Sequence, residues 1–486
     1  MRYRTDDSVR RFGADGRVVL GGDPVALLRL SASGAAVLDR VLSGGTPDSR
    51  AEAALVERLV DRGVLVPAPT PGRARFGAGD VTVVVPVRDD VDGIARLLDS
   101  LADTGDRLAE VIVVDDGSAD ATALAAVVDE PRPGTAARLL RREHSGGPAA
   151  ARNDGAGAAR SPLLAFLDAD CTVAPGWLDP LLGHLDDDRV AVVAPRVVAA
   201  PPTHPGTGSG AGWGSGAGWA SGAGWGSDAV WGIDEHRSPL DLGGRAATVA
   251  PGRRVSYVPS AALLVRADVL DDAGGFDAAL RVGEDVDLIW RLTGSGHVVR
   301  YEPTATVAHE VRPDVRSFLR QRAAYGSSAA VLDERHPGQV TPARLSRWSA
   351  AVAAGLLVGG PGVPAAAALV GWTSWRLRDR LEGVPTPEVL RLGVSGHWSA
   401  IRQLLRASLR VWWPLLVAAA PWSRRARRVL RAALALAVVE ASRDGVRPAH
   451  LPLAVLDDLA YGTGVWGGCL RRRSFRALLP TLTDRG

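Results

Sequence analysis

The sequence predicts an α/β protein centred on a doubly wound, Rossmann-like parallel sheet, with a small N-terminal unit before it and a helical, partly apolar region after it. Three observations predict this. Continuous apolar runs at Val81–Val85, Val111–Val114, Leu163–Leu167 and Val190–Ala194 read as strands buried on both faces. Helical stretches around Ile94–Ala102, Ala121–Val128 and Ala149–Ala159 fall between them, which is the alternation of a βαβ sheet. The first three runs lead straight into polar, mostly acidic residues, at the sheet edge where open parallel sheets bind ligands.

Composition bounds the function more loosely. At 486 residues the chain has room for about two to four domains. Its basic residues are all arginine, and the formal net charge is only +3, so the slight basic surplus does not argue for a nucleic-acid partner. Cys171 and Cys469 are far apart and form no CxxC pattern, so neither a disulfide framework nor a cysteine metal site is expected. The charged start Met1–Gly13 has no apolar core, which reads as no secretory signal and a catalytic part on the cytoplasmic side.

Residues 1–72 read as a separate unit. Short β segments at Arg17–Leu20 and Val25–Leu30 flank a turn. A helix follows Ser31 as N-cap, a second runs through Ala54–Val60 to Gly63, and a strand Val64–Val66 precedes a linker with Pro67, Pro69 and Pro71. Residues 73–335 carry the sheet. Within them the repeats GSGAGW, GSGAGW and ASGAGW interrupt residues 206–231, with Trp213, Trp219, Trp225 and Trp231 in register. So many glycines predict a flexible insertion; an aromatic flap stacking on sugar rings is the functional alternative.

Residues 336–486 change character. Trp348 to Trp375 holds no charged residue, which is long enough to span a bilayer, although Gly359-Gly360-Pro361-Gly362 breaks its middle. Val411–Trp422 and Val429–Val439 are further apolar segments around Arg424, Arg425, Arg427 and Arg428. Arginines beside apolar stretches favour a cytoplasmic membrane surface, so attachment to the cell membrane is expected, against the alternative of an alanine-rich soluble helical domain.

The chemistry concentrates at the strand ends. Pro86 closes the first strand. Asp115-Asp116-Gly117-Ser118 closes the second and can accept hydrogen bonds from a base and ribose, or can simply form a turn capped by Ser118 or Asp120. Leu163–Leu167 runs into Asp168-Ala169-Asp170, where two carboxylates at i and i+2 can approach one Mg²⁺ or Mn²⁺ and through it a diphosphate. Arg152 and Asn153 open toward the same edge. Glu284 and Asp285 begin a helix in Gly283–Arg291, where the dipole favours carboxylates and where one of them can act as general base. His309 is either a buried histidine or a third metal ligand. Arg320 and Arg322 can clamp a diphosphate or form a solvated face.

Taken in order, Val85-Pro86-Val87, Asp115-Asp116-Gly117-Ser118, Ala151-Arg152-Asn153-Asp154-Gly155, Asp168-Ala169-Asp170 and Gly283-Glu284-Asp285-Val286-Asp287-Leu288 resemble the family 2 inverting glycosyltransferases of GT-A fold, over about residues 80–330. That resemblance implies a nucleotide-sugar donor, with Pro86, Asp115, Asp116, Arg152, Asn153, Asp168, Arg320 and Arg322 around it. It implies a Mg²⁺ or Mn²⁺ site at Asp168, Asp170 and His309, with Asp285 as base and Glu284 beside it. The stretch Gln321-Arg322-Ala323-Ala324-Tyr325 departs from the Gln-x-x-Arg-Trp motif of processive members, which argues against long-chain synthesis.

The N-terminal unit is similar to winged-helix domains that bind leader peptides. Together with Ser238-Pro239-Leu240-Asp241-Leu242-Gly243 it resembles the branch that glycosylates a redox cofactor made from a ribosomal peptide. The narrower resemblance implies a peptide-derived acceptor and transfer of glucose from UDP-glucose in β-1,4 linkage. A lipid or cell-wall glycan acceptor is the alternative.

Overall fold

The computed structural model describes residues 2–13, 15–69, 74–201, 227–312 and 314–483. In the N-terminal unit, β1 (Arg2–Thr5) pairs with β5 (Leu65–Ala68), and β2 (Arg10–Phe12), β3 (Val18–Gly21) and β4 (Ala26–Arg29) form a three-stranded antiparallel sheet. Helices α1 (Ala32–Leu42) and α2 (Arg50–Asp61) lie between β4 and β5. Ser31 caps α1 as its sequence position predicts, accepting from the Gly34 amide. The expected hairpin, two helices and strand are present, and β1 and β2 precede them. One face of the small sheet is covered: Leu20 packs with Val384 and Val389 from the C-terminal region.

Among the described residues the central sheet has nine strands. Its first half is parallel: β6 (Val81–Val87) lies between β7 (Glu110–Asp115) and β9 (Leu163–Leu167), with β8 (Ala137–Arg141) beyond β7. The connecting helices α3 (Val91–Asp103), α4 (Ala121–Asp129) and α5 (Pro148–Ala158) fall where the sequence puts them. The valines of β6 are almost fully buried on both faces because helices and loops cover each side. The second half is mixed. After β10 (Cys171–Val173), α6 (Asp179–Leu182), β11 (Val190–Ala200), α7 (Ser227–Arg237) and β12 (Ala247–Val249), strand β13 (Ala262–Arg266) runs antiparallel between β9 and β11. Then α8 (Ala267–Asp272) and α9 (Glu284–Gly294) lead to β14 (Val298–Glu310), parallel to β11.

The Gly/Trp stretch lies mostly outside the described residues. Its last residues do not follow the expectation of a flexible insertion: 227–231 belong to α7, and Trp231 packs beside Val230, Ile233 and Phe318.

Helices α10 (Val315–Ser327) and α11 (Ala329–Arg335), then β15 (Arg344–Leu345), lead to α12 (Arg347–Val358), α13 (Gly362–Arg380), α14 (Thr386–Arg410), α15 (Trp413–Ala419), α16 (Arg424–Arg443) and α17 (Leu451–Arg472); β16 (Thr481–Leu482) closes the chain against β15. This region corrects the expectation of a cell-membrane location. Among the described residues, no helix is long and apolar enough to cross a membrane. The uncharged run Trp348–Trp375 is cut at Gly359 and Gly360, both at positive φ. The first piece, α12, has 12 residues and therefore a length of only ~18 Å, against the ~30 Å of a hydrocarbon core. The second, α13, ends in Arg376, Arg378, Asp379 and Arg380. The other two apolar segments become the 7-residue α15 and the arginine-rich α16.

Candidate functional site

A cleft of about 1390 Å³ opens beyond the carboxyl ends of β6, β7 and β9 and is closed on its far side by α10, the end of α14 and α17. Of the residues expected from sequence, Pro86, Asp116, Arg152, Asp168, Asp170, Glu284, Asp285, His309 and Arg322 line it.

Asp116 ends β7. Its carboxylate accepts from the Ser145 hydroxyl (2.7 Å) and from the amides of Gly146 and Gly147 (both 2.8 Å), so it holds the loop that enters α5. Asp115 is fully buried and accepts from the Ser118 amide at 2.7 Å; it builds the turn and does not line the cleft. Asp120 is the helix cap of α4.

Helix α5 presses on the sheet at Gly155, where an added Cβ would sit 2.3 Å from Val84 Cγ1. This close approach carries Arg152 over the end of β9. The guanidinium, 3% exposed, donates to Asp168 (2.6 Å) and to Glu284 (3.0 Å). It therefore organises acidic groups and is not open to a phosphate. Asn153 does not reach the cleft: its amide clamps the Phe276 backbone with bonds of 2.7 and 2.8 Å.

Asp168 and Asp170 bracket the turn between β9 and β10. Strand β10 runs antiparallel to β14 with Cys171 opposite His309, and that register brings the imidazole to Asp170, Nε2 to carboxylate 3.3 Å. Ligand atoms of Asp168, Asp170 and His309 all lie within 4.8 Å of one another. Two carboxylates and one imidazole form a donor set of the kind Mg²⁺ or Mn²⁺ takes. Burial first, and then the neighbouring Asp168 charge, push the Asp170 carboxyl upward, an imbalance that a cation would relieve.

Gly283, with φ of 85°, turns the chain into α9. Burial, then the Asp285 charge, pushes Glu284 up to about 7. Asp285 is also raised, chiefly by burial, although it accepts from the amides of Val286 (2.8 Å) and Ser260 (3.3 Å). Asp287 and Arg291, at i and i+4 on α9, pair at 2.8 Å, and the buried Asp287 also meets His336 at 2.9 Å.

The two late arginines differ from expectation. Arg320 is exposed and lies off the cleft, because it falls on the outer face of α10. Arg322 is buried and held by Asp234 and Asp457, the latter at 3.1 Å, so its charge is already matched. Sequence reasoning missed Arg312. It lines the cleft, is 41% exposed and stands 3.8 Å from Asp170. Its position two residues after the strand that carries His309 was the available signal. Tyr257, Arg410, Asp458 and Tyr461 were missed as well.

The family model described as glycosyl transferase family 2 matches residues 82–209, and that of glycosyl transferase family group 2 matches residues 233–439. The chain is 39% identical over 499 aligned positions to the pre-mycofactocin glycosyltransferase of Mycobacterium tuberculosis, covering 99% of this chain and 97% of that one. It is 43% identical over 108 residues to the succinoglycan biosynthesis protein ExoO of Rhizobium meliloti, covering 22% of this chain and 30% of that one. Among solved structures it is similar to a mannosyltransferase of Pyrobaculum calidifontis in complex with GDP-Man and Mn²⁺, at 18% identity and a TM-score of 0.43, covering 81% of this chain and 90% of that one.

Proposed function

The chain belongs to the family 2 glycosyltransferases, and from that premise we propose that it moves glucose from UDP-glucose, with inversion and in β-1,4 linkage, onto a peptide-derived redox cofactor of the mycofactocin type. The observation that carries the reading is that carboxylates from separate stretches of chain, Asp116, Asp168, Asp170 and Asp285, converge on one cleft with His309. The full-length similarity to a pre-mycofactocin glycosyltransferase supports the acceptor class. In this reading residues 1–72 engage the peptide-derived partner, 73–335 carry the transfer and 336–486 complete the cleft.

Asp116 and the loop it holds receive the nucleoside, with Pro86 beside them. Asp168, Asp170 and His309 would hold a divalent cation, which when bound supplies positive charge for the diphosphate leaving group. Arg312 adds a cation on the same side. Arg152 keeps Asp168 and Glu284 in place. Asp285 takes the proton of the acceptor hydroxyl as that oxygen attacks the anomeric carbon. The carbon–oxygen bond to the diphosphate breaks on the opposite face, its electrons leave with UDP, and the anomer inverts. Burial raises the pKa of Asp285, which makes its carboxylate a stronger proton acceptor.

The test is transfer of labelled glucose from UDP-glucose and Mn²⁺ to a peptide-derived acceptor, with a lipid extract as the parallel arm. Label in the first product supports the reading; label only in the lipid arm, or none with any UDP-sugar, refutes it.

A further inference from the structure

The far wall of the cleft comes from the last helices of the chain, and glycines fix its position. Helix α17 packs against α10 so closely that a Cβ on Gly464 would lie 1.9 Å from the Ala323 carbonyl, one on Gly326 2.0 Å from the Tyr461 carbonyl, and one on Gly468 2.5 Å from the Ser327 carbonyl. A Cβ on Gly462 would lie 2.2 Å from the Arg410 carbonyl, which pins the end of α14 to the same helix. Backbone against backbone leaves little freedom, so Arg410, Asp458 and Tyr461 are held rigidly at the cleft.

Part of their chemistry is open to a ligand. The Arg410 guanidinium lies 4.0 Å over the Tyr461 ring and 3.6 Å from Asp458, a separation too long for a hydrogen bond. Its side chain is 47% exposed although it stands deep between helices, as expected of a group pointing into an open cleft. Among the described residues, no protein group completes a hydrogen bond to the Asp458 carboxylate. Tyr257 lines the same cleft as this wall and Asp285, and its phenol is pushed upward by burial, then by Asp285 and Tyr461.

We infer that Arg410, Asp458 and Tyr461 form the acceptor-side subsite and that it takes a neutral pyranose ring. The Tyr461 ring holds the Arg410 guanidinium stacked upon it, and a guanidinium beside a carboxylate offers donors and acceptors matched to adjacent sugar hydroxyls. Arg410 faces Asp458 and Arg322 is matched by Asp457, so these pairs leave no spare cation for a phosphate or carboxylate ligand. The inference rests on the proposed transferase reading for which end of the cleft holds the donor.

Full-length protein is titrated with p-nitrophenyl β-D-glucopyranoside, with and without UDP and Mn²⁺, and separately with UDP and Mn²⁺. The wild type binds the glycoside saturably. R410A and Y461A weaken it by about tenfold or more, Y461F stays close to wild type, and all variants keep wild-type UDP affinity, which also reports that they fold. No saturable glycoside binding by the wild type, or equal binding by R410A and Y461A, overturns the subsite. Loss of UDP binding in the wild type counts instead against the donor reading, and the titration without UDP still tests the wall.

Discussion

Replacing Arg152 with methionine removes the one guanidinium that holds Asp168 and Glu284 together, at 2.6 and 3.0 Å. Arg152 is 3% exposed and the Glu284 side chain 10%, so little water is available to take its place. Breaking a buried pair from one side costs about 3–5 kcal/mol, because a charge is left without its partner. Glu284 can relieve part of this by binding a proton. Its ionisation already lies at about 7, raised by burial and Asp285 and lowered by Arg152, so losing Arg152 moves it further up. The sign follows from linkage. A carboxyl raised in the folded state lets the fold bind an extra proton, so stability falls as pH rises from the unfolded toward the folded value. Arg152→Met extends that fall above neutrality, by about 1.4 kcal/mol for each further unit of rise. Thermal unfolding of the two proteins at about pH 5.5 and about pH 8.5 should therefore differ by several degrees more at the alkaline end. A difference that is the same at both pH values refutes the claim that Arg152 acts on the protonation of Glu284.

Asp285→Asn should lower kcat by about 10³-fold or more while UDP-glucose binding stays within a few-fold, read by transfer kinetics alongside donor titration. With Asp285 as the proposed base and its pKa raised by burial, kcat/KM should climb with pH above the ordinary carboxylate range. Glu284→Gln removes a negative neighbour and should move that acid limb to lower pH; an unmoved limb would separate the two groups. Gly464→Val puts side-chain atoms into the Ala323 carbonyl and should cost about 1–3 kcal/mol, with glycoside binding lost before UDP binding. UDP binding lost first would place α17 outside the acceptor side.

The end of β9 was legible because Leu163–Leu167 holds no polar position, so the change from Leu167 to Asp168 marks an edge without any tertiary information. The partnership of His309 with Asp170 was partly legible as chemistry, but its cause is the register Cys171 opposite His309, a pairing across 138 positions that no local pattern encodes. Asn153 misled for the same reason: its partner Phe276 is 123 residues away. Arg322 read as a free cation because Asp234 and Asp457 come from two distant helices. The C-terminal region was the hardest to read. Alanine-rich helices that pack through glycine have the composition of membrane segments, and only Asp457-Asp458 and Tyr461 within α17 hinted that one face meets a polar cleft. The gap at Gly359-Gly360 was visible, and its consequence, a 12-residue α12 and an α13 that ends in charged residues, leaves no apolar span at that run.

Titration calorimetry of UDP into the full-length protein, with Mn²⁺ and then with excess chelator, tests most directly whether Asp168, Asp170 and His309 join a cation to the diphosphate. Binding should be strong with Mn²⁺, drop by about tenfold or more on chelation, and be weak in Asp170→Ala under both conditions. Equal UDP affinity with and without the cation, in wild type and Asp170→Ala alike, would contradict the account.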